Sequence, residues 1–253
     1  MTRLVRAEWI KVFTVKLCWG LLLASIAITA IAVVAQISSG TPGLSLGSSS
    51  TQRSFFASAD VAEIFSLVLG IAIITTEYRH LTSRPTFLIE PRRGRVVAAK
   101  VAVSALLGLI YGACCVAVVA AIAGSWLATR HLGVDWGSAD VLGAILGALV
   151  VVTLYAVLGL GVGVLVHNQI AALVGSFAFL FILEPTILLI PGVERIYPYL
   201  PGAAASAITQ PANQLQAGVE TLLAPWQGVL VLMGWGLLLA VVGWAVSVRR
   251  DVP

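Results

Sequence analysis

From Val141 to Leu183 the chain carries no Asp, Glu, Lys or Arg. In water an apolar stretch of that length has nothing to cover it. In a bilayer about 20 such residues make one helical crossing. The run is too long for one helix, and the polar triplet His167-Asn168-Gln169 divides it, which predicts two spans joined by a short turn at a membrane surface. Leu17–Ile37, Val101–Thr129 and Thr221–Val248 are further uncharged runs of spanning length. Val61–Thr76 is shorter and follows Asp60, with Glu63 inside it; extending it back to Phe55 gives one more span. The expected architecture is an all-α polytopic membrane protein of one domain, 1–253, with six transmembrane helices at about 17–37, 55–77, 99–126, 140–166, 170–190 and 226–248.

Composition agrees. Only 10% of residues are charged, 59% are hydrophobic and the mean hydropathy is +1.01. A soluble domain carries about 25% charged residues because its surface faces water. The first run has some features of a signal peptide, with a basic leader before it and Ala30-Ile31-Ala32 within it. It is nevertheless long enough to span and its leader contains Glu8, so it reads as a retained helix.

Orientation follows from the basic residues beside the spans, which concentrate in cytoplasmic loops. With the N-terminus inside, the inner segments hold Arg3, Arg6, Lys11, Lys16, Arg79, Arg84, Arg92, Arg93, Arg95, Lys100, Arg249 and Arg250, and the outer ones only Arg53, Arg130 and Arg195. Twelve against three places both termini in the cytoplasm of a multi-pass plasma-membrane protein. These charges sit at span ends and imply no nucleic-acid partner. Before the first span, residues 1–16 put Val5, Trp9, Val12 and Phe13 on one helical face, with Arg3, Arg6, Glu8 and Lys11 around the rest. That is the pattern of an amphipathic helix lying on the inner surface. Residues 38–54, rich in Gly and Ser, read as an exposed outer loop. Residues 191–222 are too apolar for a simple loop and too broken by proline to span, so they are expected as re-entrant half-helices on the outer side.

Few residues carry candidate chemistry. Glu184 lies about 15 residues into the fifth span, so about 22 Å from the inner surface at 1.5 Å per residue. An ionisable group at that depth faces a bundle interior or a water-filled cavity. It is either a polar point on a transport path or gate, together with Tyr197 and Tyr199, or a structural hydrogen-bonding group, protonated or paired with Arg195. Pro185 after it predicts a bend. Asp60 and Glu63 are expected nearer the outer surface and solvated. Gly143-x-x-x-Gly147 and Gly159-x-x-x-Gly163 predict close helix packing in the fourth span. Cys18, Cys114 and Cys115 fall inside apolar runs and read as packing residues, with no disulfide or metal site. His-Glu-x-x-His does not occur, and no catalytic residue is assigned.

The segment Thr75-Thr76-Glu77-Tyr78-Arg79-His80-Leu81-Thr82-Ser83-Arg84-Pro85-Thr86-Phe87-Leu88, continuing to Pro91-Arg92-Arg93 and Ala99-Lys100, resembles the corresponding part of bacterial ABC-2 type exporter permeases. In those subunits a T-E-Y-R segment closes the second span and a cytoplasmic coupling helix follows. In outline the resemblance covers the whole chain, from Ala7-Glu8-Trp9-Ile10-Lys11 through six spans to the outer half-helices. Leu81 stands where that family commonly has Gly, and Pro85 falls inside the coupling segment 78–92. Because Pro disfavours helical angles in the residue before it, the coupling helix would start near Pro85, with Ser83 as a cap.

The resemblance implies Glu77, Tyr78, Arg79, His80, Thr82, Arg84, Phe87 and Leu88 as the surface that meets a separate ATPase, and Arg3, Glu8, Trp9 and Lys11 as the interfacial helix. Charge by itself fits another reading of that segment, a loop binding anionic head groups. Glu77 is either a surface ion pair or a lock from the span end to Arg79 or the N-terminal helix. The chain has no G-x-x-x-x-G-K-[ST] motif, so ATP and Mg²⁺ would be held by a pair of partner ATPase subunits, with no cofactor in this chain. Six spans imply a second permease, identical or related, to complete the pathway. The resemblance implies export of a hydrophobic or amphiphilic substrate such as a drug, peptide antibiotic or lipid. A secondary transporter or channel is the alternative.

Overall fold

The computed structural model describes the backbone of residues 2–39, 47–79, 93–166, 168–187, 190, 195–209 and 223–250. Among these there is no strand. Helix α1 (Thr2–Thr14) leads into α2 (Lys16–Ser39). Next come α3 (Ser49–Ala57), a 3₁₀ turn over Ser58–Val61, and α4 (Ala62–Arg79). Helices α5 (Arg93–Thr129) and α6 (Ala139–Val166) follow. Then α7 (Gln169–Ala178) runs through a π turn, Phe179–Leu183, into α8 (Glu184–Ile187). A 3₁₀ turn at Tyr197–Tyr199, α9 (Pro201–Thr209) and α10 (Pro225–Arg250) complete the chain.

Six of these segments are long and apolar enough to cross a membrane: Lys16–Ser39, Ser49–Thr76, Gly94–Thr129, Ala139–Val166, Gln169–Ile187 and Pro225–Gly243, here spans 1 to 6. The chain is a multi-pass, all-α membrane protein. Span 2 begins earlier than Phe55. Residues 49–54, expected in an exposed loop, are helical, and Thr51 and Gln52 are buried. The cause is polar: the Ser48 hydroxyl caps α3, Gln52 donates to Gly133 O at 3.1 Å, and Gln52 Oε1 accepts Asp135 N–H at 2.8 Å. Satisfied polar groups let a sequence of low hydropathy join a buried helix. Between spans 4 and 5 the Asn168 side chain accepts the N–H groups of Ile170 and Ala171 and starts α7, so the polar triplet acts as a cap.

Span 4 is the centre of the bundle. Spans 2 and 6 lie along it in parallel and span 3 antiparallel, each brought close by glycine. A Cβ at Gly70 would stand 2.1 Å from Ala156 O, and one at Gly159 2.1 Å from Leu67 O. A Cβ at Gly161 would meet Gly236 O at 3.0 Å, and one at Gly108 the Val152 O at 2.9 Å. Small residues let helix backbones touch where lipid offers no hydrophobic drive. Ser104 adds a hydrogen bond across the span 3–span 4 seam, donating to Ala156 O at 2.7 Å. The two Gly-x-x-x-Gly pairs therefore serve packing within the chain: Gly159 and Gly163 face span 2, and Gly147 faces Ile208 of α9. Span 5 is the outlier. Only 11% of its central window is buried, against 56% for span 4.

Candidate functional site

Two polar centres stand out, one at each end of the bundle. At the first, α1 packs on the bundle through the face read from sequence: Val12 is buried, and Val5, Trp9 and Phe13 are packed against the core. Much of the apolar face expected to lie in lipid is thus spent on protein. Glu8, on the same helix, is buried and takes two lysines. Lys100 Nζ stands 2.6 Å from Glu8 Oε2, and Lys11 Nζ 2.8 Å from Glu8 Oε1. Lys100 is as enclosed as Glu8, whereas the Lys11 side chain is half exposed. Burial by itself would raise the Glu8 carboxyl; the ammonium groups of Lys100 and Lys11 outweigh it and hold that carboxyl below its ordinary range. Lys100 lies in the second turn of α5, so the pair ties α1 to the helix that emerges from the basic segment.

That segment enters from α4 and leaves into α5. Glu77, Tyr78 and Arg79 form the last turn of α4; their side chains, and that of Arg3 in α1, lie outside the described residues, as do His80, Thr82, Arg84, Phe87 and Leu88. Trp9 stacks on Phe13 with centroids 4.4 Å apart, and Phe13 meets Trp19 edge-on at 5.5 Å. This aromatic set fixes the angle between α1 and span 1, where Trp19 Nε1 donates to Phe13 O at 3.1 Å.

The second centre is built around α9. Helix α9 starts at Pro201, which has no N–H to satisfy. Its next donors are taken in order: Gly202 N–H by Glu184 Oε2 at 3.1 Å, Ala203 N–H by Glu184 Oε1 at 2.7 Å, and Ala204 N–H by Leu200 O at 2.8 Å. A carboxylate here also meets the positive end of the helix dipole. Glycine at 202 lets the carboxylate sit this close, since a Cβ there would stand 2.9 Å from both Glu184 oxygens and shift that side chain. At the other end of α9 a cation completes the match: Arg53 Nη2 reaches Thr209 O at 3.5 Å, with Asp140 Oδ1 3.8 Å from Arg53 Nη1. Of the two readings of Glu184, the geometry displays a buried hydrogen-bonding group whose partners are backbone N–H groups, not Arg195.

The π turn that precedes Glu184 has a local cause. Pro185 cannot donate and its ring collides with the carbonyl four residues back; widening the turn at Phe179–Leu183 relieves both. The expected bend at Pro185 takes this form.

Asp60 and Glu63 differ from expectation. Both are only partly exposed, and both face inward. The Thr209 hydroxyl lies against Asp60, and Glu63 lies within Coulomb range of Asp60 and Glu184. Tyr155 is buried beside all three acids. Tyr197 also joins this set, its phenol pushed up by burial and by the Glu184 carboxylate, whereas Tyr199 is exposed and gives its carbonyl to Trp235 Nε1 at 2.9 Å. This gathering is not legible locally, because span 2 begins as far back as Ser49, which sets both acids deeper, and their neighbours Tyr155, Glu184 and Thr209 come from distant parts of the chain. No group of three or more His, Cys, Asp or Glu among the described residues is arranged to hold a metal ion.

Comparison of the chain with protein-family models, with curated proteins and with solved structures finds no match to any of the three.

Proposed function

We propose that the chain is the membrane-spanning permease subunit of an ATP-driven ABC-2 type exporter, with both termini in the cytoplasm, working beside a separate pair of ATPase subunits and a second permease. The observation that carries this reading is the Glu8–Lys100 pair taken with the T-E-Y-R segment. The basic stretch 80–92 is continuous with α4 on one side and α5 on the other, and α5 is ionically bound to α1. Force applied to that stretch by a partner acts on spans 2 and 3 and on the interfacial helix together. A lipid-anchoring loop has no need of an ionic tie between α1 and α5.

In this reading, closure of the ATPase pair presses on Glu77, Tyr78, Arg79 and the residues that follow. Spans 2 and 3 tilt against span 4, and the α9 region yields at the outer side to release an amphiphilic substrate. Energy comes from ATP and Mg²⁺ on the partner. The test is a mild-detergent pull-down of the tagged chain from its native membrane with mass identification of stoichiometric partners. An ATPase bearing a P-loop is the expected companion, and its loss on Arg84→Glu, Phe87→Ala substitution would locate the contact. Recovery of the chain alone at several salt concentrations overturns the reading.

The alternative, a secondary transporter, draws on one observation. Asp60, Glu63 and Glu184 gather around Tyr155 within the bundle, and clustered acids of this kind form ion or proton paths in such proteins. Uptake or efflux by the purified chain without ATPase, driven by a pH gradient and lost in Glu63→Gln, would favour it.

A further inference from the structure

The seam between spans 2 and 4 keeps one register. A Cβ at Gly163 would meet Ile71 O at 3.0 Å, and one at Gly159 would meet Leu67 O. The next four-residue step along this parallel pair brings Tyr155 beside Glu63, and the two interact without a hydrogen bond between them. At 1.5 Å per residue, Tyr155 and Glu63 stand about 17 and 20 Å from the Val166 and Thr76 ends of their spans. That is deep within a hydrocarbon core about 30 Å thick.

Three acids gather at this level, and two of them are satisfied. Glu184 takes the N–H groups of Gly202 and Ala203. Asp60 takes the Thr209 hydroxyl and the Val61 N–H. Glu63 has neither a hydrogen bond nor an ion pair from its side chain among the described residues, and its neighbours Asp60 and Glu184 carry the same sign of charge. Arg53, the cation that reaches Thr209 O, is engaged by Asp140. The Tyr155 phenol is in a similar position. The residue is 1% exposed, it lies within Coulomb range of all three acids, and among the described residues its hydroxyl has no hydrogen-bond partner. A buried tyrosine hydroxyl ordinarily finds one. An unpaired acid beside an unpaired phenol offers acceptors to a cationic donor.

The surroundings specify the cation. Tyr155 belongs to an apolar cluster with Leu67, Leu158, Ala204 and Ile208, where a metal ion finds few of the oxygen ligands it needs. An ammonium group needs only acceptors and tolerates an aromatic neighbour. Leu67 follows Glu63 by one turn on the same face of span 2. With Leu158 it lines an apolar cavity of about 270 Å³, which span 5 closes with Phe179 and Leu180. Apolar volume and uncompensated negative charge thus adjoin along one helix face. Glu63 and Asp60 are both partly exposed, so the acids are open to approach from the bundle surface.

We propose that Glu63 and Tyr155 bind the ammonium group of a lipophilic amine, whose apolar body lies along Leu67 and Leu158 in the adjoining cavity. As the substrate class of the exporter, the amine rests on the reading above; binding to the isolated chain does not.

The test uses the full-length chain in lipid nanodiscs with no ATPase. The probes are 4-phenylbutylamine, cationic at neutral pH, and 4-phenylbutan-1-ol, its neutral analogue. Saturable binding above partition into empty discs is measured for each. The amine should bind about tenfold more tightly, the worth of one charge-assisted hydrogen bond. Glu63→Gln should abolish that preference and Tyr155→Phe should reduce it, with helical content unchanged. Asp135→Asn, which removes an exposed acid between spans 3 and 4, should leave it intact. In the unaltered chain dicyclohexylcarbodiimide, which adds to carboxyl groups in apolar surroundings, should label Glu63, and the amine but not the alcohol should slow that labelling severalfold. Absence of saturable amine binding overturns the proposal, as does a preference that survives Glu63→Gln or falls equally in Asp135→Asn. Labelling of Glu63 that is absent, or that the amine leaves unchanged, overturns it as well. Because no ATPase is present, failure here leaves the exporter reading standing, and an unsuccessful search for the ATPase leaves the binding result standing.

Discussion

Glu184 Oε1 lies 2.7 Å from the backbone nitrogen of Ala203, so the last residues of span 5 serve as the cap of α9. The contact joins the least buried span to a short helix wedged against spans 4 and 6, where a Cβ at Gly228 would stand 2.7 Å from Ala204 O. Span 5 is thus tethered through this carboxylate to the helix that packs on spans 4 and 6.

Removing that tether should loosen α9 selectively. Loss of a capping side chain costs about 1–2 kcal/mol, so in Glu184→Ala the Gly202 and Ala203 amides should exchange about tenfold faster or more in hydrogen–deuterium exchange. Glu184→Gln keeps one acceptor oxygen and should fall between. Arg53→Ala should act at the opposite end, exposing Thr209 first. Unchanged protection in Glu184→Ala would show that α9 is held by packing alone.

The two lysines on Glu8 should differ sharply in weight. Lys100→Met leaves the buried carboxylate with the half-exposed Lys11 in place of its buried partner and should destabilise by about 2–3 kcal/mol, short of the cost of a fully unpaired charge. Lys11→Met removes a half-exposed partner and should cost about 0–1 kcal/mol. The double change Glu8→Leu, Lys100→Met should recover most of the loss, because an apolar pair needs no desolvation. Denaturation of the detergent-purified variants ranks them, and equal losses for the two lysines would contradict the geometry.

The same pair sets an acid limit. The Glu8 carboxyl is depressed in the folded chain relative to its ordinary value of 4.5. Its contribution is therefore complete above about that pH and is lost as pH falls through the lower folded value. Between pH 7 and 3, wild type should lose stability faster than Glu8→Gln, whose Tm lacks this component. Parallel pH profiles would remove Glu8 from the acid response.

Glycine contacts at the centre offer a packing test. Gly70→Ala or Gly159→Ala forces a methyl to 2.1 Å from a facing backbone oxygen, and separating two helices costs about 1–3 kcal/mol or more. Both variants should aggregate or melt early on size-exclusion thermal scans. Gly20→Ala, where an added Cβ has nothing within 4 Å, should be neutral or slightly stabilising.

How much of this was legible beforehand varies by residue. The Leu17, Val101 and Val141 runs announced their helices because hydropathy acts locally. The turn at Asn168 was readable for the same reason, a polar triplet between apolar runs. Glu8 was visible only as one charge on an amphipathic helix, because its partner Lys100 is 92 residues away. Hydropathy starts span 2 only at Phe55, since Arg53 and Asp60 lower it and nothing local announces that Gln52 finds partners beyond residue 130. The depth of Glu184 is legible in the sequence, but its cap on α9 depends on the chain turning back 18 residues later.

The sequence by itself determined the solvent and the crossings. In hydrocarbon each backbone donor and acceptor must be satisfied inside its own helix, so about 20 apolar residues suffice to declare a span. Only the tertiary structure decided which acids are paired, which glycines carry the packing and why span 5 is held loosely over a cavity. Those depend on neighbours brought together by packing, and one chain's local pattern holds no record of distance in space.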